Sequence, residues 1–173
     1  MNNATKSTEE PILIEDHNFS FDDLGRFFRH NKIEDVGTYQ SGPLTITIES
    51  AEVTSGNFSD DYNTYGITSN DEIKTVNFQV RFKLDEKEKN VFFTEENMHL
   101  VTNTGEKVEK PHELISSAIN VPIINNNNNV RQVAFKIEET DIENLKEVQL
   151  NIDAPINDKG EPLGDNLEIE IKL

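Results

Sequence analysis

From about position 36 the chain alternates apolar and polar residues, and the period is two. Leu44, Ile46 and Ile48 alternate with Thr45, Thr47 and Glu49. Val76, Phe78, Val80, Phe82 and Leu84 alternate with Asn77, Gln79, Arg81 and Lys83, the longest clean run. Val133, Phe135 and Ile137 form a third set, Val148, Leu150 and Ile152 a fourth, and Leu167, Ile169, Ile171 and Leu173 a fifth. Such alternation marks antiparallel strands with one dry and one wet face. Shorter strands are expected at Ile12 to Ile14, Val91 to Phe93, Met98 to Thr102 and Glu113 to Ala118.

The joins carry turn chemistry. Asn103-Thr104-Gly105-Glu106 and Asn157-Asp158-Lys159-Gly160 read as tight turns, and the asparagine run Asn125 to Asn129 reads as a surface loop. Asp141 can open one helical turn over Ile142 to Leu145. Before the first long strand the period changes. Phe21, Leu24, Phe27 and Phe28 recur at helical spacing behind Ser20, which predicts a short amphipathic helix over residues 21–30, despite Gly25. Its expected role is to cover a sheet edge. Seven or so strands without alternating helices predict an all-β antiparallel sandwich. The expected organisation is a polar tether over residues 1–11, an extension with the helix over 12–35, and the sandwich over 36–173.

Composition removes several function classes. The 173 residues hold 16 Lys+Arg against 33 Asp+Glu, a formal charge of −17. That balance disfavours nucleic acid, whose phosphates need clustered cations, and direct docking on an anionic membrane. It also disfavours anionic wall polymers, since the one dense cation cluster, Lys83, Lys87 and Lys89, is interleaved with Asp85, Glu86 and Glu88. With no cysteine there is no thiol chemistry, disulfide or thiolate metal site. The histidines, His17, His30, His99 and His112, lack zinc-site spacing, and no serine-nucleophile or phosphate-loop motif occurs. The expectation is a non-enzymatic chain without a resident cofactor.

One stretch rises above this background. Between Lys32 and Lys74 no Lys or Arg appears, while Asp60, Asp61, Asp71 and Glu72 cluster among Asn57, Ser59, Asn63 and Asn70. Oxygen-rich loops between strands can supply the six to eight ligands of calcium. These four carboxylates are therefore the candidate calcium ligands, although the EF-hand pattern is not met. Phe58, Tyr62 and Tyr65 in the same stretch are expected to pack back on the sandwich.

The order of segments also carries a likeness. Val36-Gly37-Thr38-Tyr39 leads into Gly42-Pro43-Leu44-Thr45-Ile46, followed by the strand Val76 to Leu84, then Leu100-Val101-Thr102-Asn103, then Arg131 to Ile137, then Leu145 to Leu150. Over about residues 36–173 this resembles the immunoglobulin-like (telokin-like) domain of unknown function of Gram-positive surface lipoproteins. The resemblance implies an immunoglobulin-like sandwich held by a lipid on the extracellular face of the cell membrane. Met1 would then stand where that family carries its lipid-modified cysteine. The resemblance brings no catalytic residue, and the charge balance favours a protein partner or a neutral ligand. The tryptophan and cysteine pair of antibody domains are missing. The alternative expectation is a calcium-binding accessory domain of a surface or secreted enzyme system.

Overall fold

The computed structural model describes residues 11–13, 25–59, 71–85, 90–117 and 129–173. Nine strands occur among them: β1 (Ile12–Leu13), β2 (Gly25–Ser41), β3 (Leu44–Phe58), β4 (Ile73–Leu84), β5 (Met98–Thr102), β6 (Lys107–Val108), β7 (Asn129–Ile137), β8 (Glu147–Ile152) and β9 (Leu167–Lys172). They build two antiparallel sheets, ordered β1-β2-β3-β4-β7 and β6-β5-β8-β9. The architecture is an all-β sandwich.

The alternating sets explain how the layers meet. Leu44, Ile46 and Ile48 of β3, Val76, Phe78, Val80, Phe82 and Leu84 of β4 and Val133, Phe135 and Ile137 of β7 face Met98, Leu100, Val148, Leu150, Ile152, Ile169 and Ile171 of the other sheet, and all are buried. Phe78 and Phe135 meet edge to face at 6.0 Å between ring centroids. In β3 a register shift between Ile48 and Ser50 inserts one residue, so the inward set continues at Ala51 and Val53. Beyond it, Phe58 and Ile73 turn to the opposite face of the same sheet. There they form a second, smaller core with Phe27, against which Ile115 packs.

Several expectations change here. Residues 25–30 are strand, not helix, because β2 runs from Gly25 through Ser41 and pairs with β3 along its length. Phe27 faces the second core and meets Phe58 at 5.3 Å, while Phe28 points to the other side. The two adjacent phenylalanines serve two faces of one strand. Residues 21–24 lie outside the described residues. Position 36, where the sequence places the start of the sandwich, is in the middle of β2. Val91 to Phe93 contributes a single bridge, Phe92 to Ile156, because the chain is crossing between the sheets. Glu113 to Ser117 is turn and bend, bonded beside β7 through backbone and serine hydroxyls.

The expected turns are present. Gly105 (φ +93°) closes β5 onto β6, and Asn157 to Gly160 forms a turn closed by the Gly160 N–H on the Asn157 carbonyl at 3.0 Å. Ile142–Asn144 is one 3₁₀ turn, although the Asp141 side chain makes no capping bond. No helix among the described residues is long and apolar enough to cross a membrane.

Candidate functional site

Of the four candidate calcium ligands, Asp60 and Asp61 lie outside the described residues. Asp71 and Glu72 are exposed at the entrance to β4. Among the described residues no three metal-ligating side chains converge. Phe58 packs inward as expected, while Tyr62 and Tyr65 lie outside the described residues. The structure draws attention instead to the flank where β6 and β7 close the sandwich.

A groove of about 820 Å³ runs along that flank, lined by the segment from Gly105 to Leu114 and by Lys136, Glu138 and Glu139. A smaller cleft of about 310 Å³ opens on the other side of β6, over the outer face of the four-stranded sheet, and includes His99, Asn151, Asp153, Asn166 and Glu168. Lys107, Val108 and Glu109 line both. The two-residue strand β6 is thus a thin wall between two concavities, so whatever holds β6 shapes both.

Glu106 holds one end. Its Oε1 accepts the N–H groups of Glu138 (2.6 Å) and Glu139 (3.1 Å), and its Oε2 accepts that of Thr140 (2.7 Å). Consecutive backbone donors in a turn make a natural anion seat, and here the chain supplies its own anion. Burial works to raise the Glu106 pKa, but the Thr140 hydroxyl and these three N–H groups outweigh it, and the carboxyl sits below its ordinary value. Around it the hydroxyls of Thr102, Thr104 and Thr140 lie within 2.7–3.1 Å of one another. The β5–β6 turn is thereby fastened to the chain leaving β7, one sheet to the other.

His99 holds the other end. On the wet face of β5, its Nδ1 lies 2.6 Å from the Glu109 carbonyl oxygen and its Nε2 lies 2.8 Å from Asp153 Oδ2. Both partners are acceptors, so both bonds form only when the ring carries two protons. Burial works to lower the His99 pKa, but the Asp153 and Glu109 hydrogen bonds, with the Asp153 charge, raise it above the ordinary histidine value. The imidazolium clasps the segment after β6 to the end of β8.

His112, inside the groove, is half-buried, and burial lowers its pKa, with Lys136 adding to the effect and Glu113 opposing it. Its Nδ1 has no partner among the described residues. Farther along the crossover, Glu95 is fully buried in the 3₁₀ turn Glu95–Asn97 and pairs with Arg131 of β7. His30 Nε2 lies 2.6 Å from Ser55 Oγ, and burial lowers the ring's pKa against the pull of Glu72. His17 lies outside the described residues.

Sequence reading missed most of this. Arg131 had a signal, since it shares the apolar phase of Val133, Phe135 and Ile137. Glu106 and the His99–Asp153 pair had none, because their partners are 32 to 34 and 54 positions away.

No protein-family model and no curated protein matches the sequence. Among solved structures the chain is similar to one described as the crystal structure of a functionally unknown protein from Listeria monocytogenes EGD-e. The TM-score is 0.59 at 15% identity, over 87% of this chain and 90% of that one. At that identity the likeness bears on the fold alone.

Proposed function

We propose that this chain is a non-enzymatic domain of a cell-surface lipoprotein that acts by binding, with the groove between β6 and β7 as its contact surface for a protein partner or a neutral ligand. The observation that carries this reading is the employment of Glu106 and His99 at the two ends of β6, with His112 Nδ1 in the groove left without a partner among the described residues. Glu106 and His99, which in a catalytic cleft would be aimed at a reacting atom, are turned into the framework and hold β6 in place. A wall fastened at both ends keeps its shape, which favours recognition by lowering the ordering cost of binding. Lipid attachment outside the cell follows from the resemblance to immunoglobulin-like surface lipoprotein domains, with which a β-sandwich agrees.

The test has two arms. In cells of the source organism, the protein should incorporate a palmitate analogue and be removed from intact cells by added protease. An unlabelled protein in the soluble interior would defeat the surface reading. A photo-crosslinking residue at Leu114, in the groove, should capture a partner that the same residue at the exposed Lys83 does not.

A calcium-holding accessory role is the second reading, favoured by the adjacent exposed carboxylates of Asp71 and Glu72. Melting in millimolar calcium and in EDTA separates the two, since a calcium site would raise the transition through mass action.

A further inference from the structure

Strand edges offer unpaired backbone groups, and proteins blunt them by bulges, short strands, covering segments or charged side chains. Three edges of this sandwich are blunted. On the β2 edge, β1 pairs at Phe28 and Arg29, and the strand is broken by register shifts after Arg29 and after Glu34, with Asp35 at φ +54°. The β7 edge is occupied by the segment from His112 to Ser117, which bonds to Gln132 and Ala134. β6 is two residues long. The β9 edge has no geometric device: it has six residues, no register shift and no neighbouring strand on its outer side among the described residues, and its protection is the charge of the exposed Glu168, Glu170 and Lys172, which admits only a strand of complementary charge.

The phase of β9 is fixed by the Leu173 N–H donating to the Lys146 carbonyl at 2.8 Å. Hydrogen-bonded positions alternate in an antiparallel pair, so Leu167, Ile169 and Ile171 also bond to β8. The N–H and C=O groups of Glu168, Glu170 and Lys172 therefore point away from the sheet, at the open edge. Their side chains are exposed, and none forms an ion pair within the described residues.

We propose that the β9 edge receives an extended, lysine- or arginine-bearing segment of a partner protein as an added strand. Charge decides the occupant. A second copy would bring another net −17 to the edge, and although the antiparallel register that sets Glu168 against Lys172 forms two opposite-charge pairs, it sets Glu170 against Glu170 between them. Like charges directly opposite are destabilising. A segment with cations on alternate positions meets Glu168 and Glu170 instead, with one like pair where it reaches Lys172, and it brings no net negative charge to the edge. Its intervening residues point to the inner side, where apolar side chains of the flanking edge strands, Ile33, Val36 and Tyr39 of β2 and Leu167 of β9, are only partly covered. The fitting partner strand thus alternates basic and apolar residues. In strand addition the main chain supplies affinity and alternate side chains supply choice. β6 and β9 are opposite edges of their sheet, so this surface is separate from the groove and does not rest on its reading.

The probe is a blocked hexapeptide of alternating lysine and valine, with a glutamate–valine hexapeptide as control. Amide hydrogen exchange and NMR titration on the intact chain should show the amides of Glu168, Glu170 and Lys172 becoming protected with the lysine peptide alone. Glu170→Pro removes one edge-facing donor and no bond to β8, and should raise the Kd roughly tenfold or more. The double variant Glu168→Lys, Glu170→Lys should exchange preference and take the glutamate peptide, which keeps the test decisive if the proline variant unfolds. Unchanged exchange at the three amides, equal binding of both peptides, or a preference untouched by charge reversal would overturn the proposal.

Discussion

Arg131 Nη1 lies 2.5 Å from Glu95 Oε1, with the glutamate fully buried and the arginine nearly so. The pair joins the crossover ahead of β5 to β7, a link from one side of the sandwich to the other. Burial raises the Glu95 pKa, and Arg131 opposes the rise. The second oxygen, Oε2, is buried without a hydrogen-bond partner among the described residues. Such a pair contributes little net stability, yet half of it is costly, because removing one charge strands the other.

Arg131→Leu alone and Glu95→Met alone should therefore each cost about 3–5 kcal/mol, while the two together should be close to neutral, within about 1–2 kcal/mol of the parent. Urea titration of the single and double variants completes the cycle. A double variant as unstable as either single one would show that the pair is worth more than its desolvation cost.

Phe135 is fully buried at the centre of the sandwich, in edge-to-face contact with Phe78. Phe135→Ala should cost about 3–5 kcal/mol, through lost transfer energy and the cavity left behind. A variant melting within a degree or two of the parent would mean that its side chain is not in the core.

How far the fold could be read in advance follows from those two residues. Phe135 belongs to an unbroken alternation, and every unbroken alternation became a strand with its apolar phase inward. β2 was illegible for the opposite reason. Its two register shifts destroy any period of two, and Phe27 beside Phe28, which serve opposite faces of a strand, also fit a helical stripe. Gly25, awkward in a helix, is at home in β2: at φ +146° it lies so close to Asn57 and Phe58 that an added Cβ would collide with backbone. The groove was less legible still. Its polar supports are pairs between distant positions, and neither the turn that Glu106 fills nor the carbonyl that His99 reaches leaves a local pattern.

Glu106→Gln should destabilise the chain by about 1–3 kcal/mol at neutral pH, since a neutral amide replaces a charge-assisted acceptor of three backbone donors. The folded carboxyl titrates below its ordinary 4.5. Its stabilisation is therefore complete above the unfolded value and disappears as pH falls through the lower, folded one. The difference between parent and variant should shrink on acidification below about pH 4.5. A difference that is constant down to pH 3 would remove the charge from the explanation.

His99 works in the other direction. The doubly protonated ring satisfies both the Glu109 carbonyl and Asp153, and its folded pKa lies above the ordinary 6.5. Folding thus takes up protons through this group. Its contribution is full below the unfolded value and is lost as pH rises through the higher, folded one. His99→Gln cannot titrate. The gap in melting temperature between parent and variant should be widest near pH 5.5 and should narrow toward about pH 8.5. Across the same range, ¹⁵N or ¹³C shifts of the parent ring should report one titration above 6.5. As the ring loses its second proton, one of its two bonds must break, so exchange at amides of the segment following β6 should accelerate while that of the core strands stays unchanged. A gap that widens with pH, or a ring titrating below 6.5, would reverse the assignment and leave β6 held by Glu106 and its pairing with β5, with no clasp at its far end.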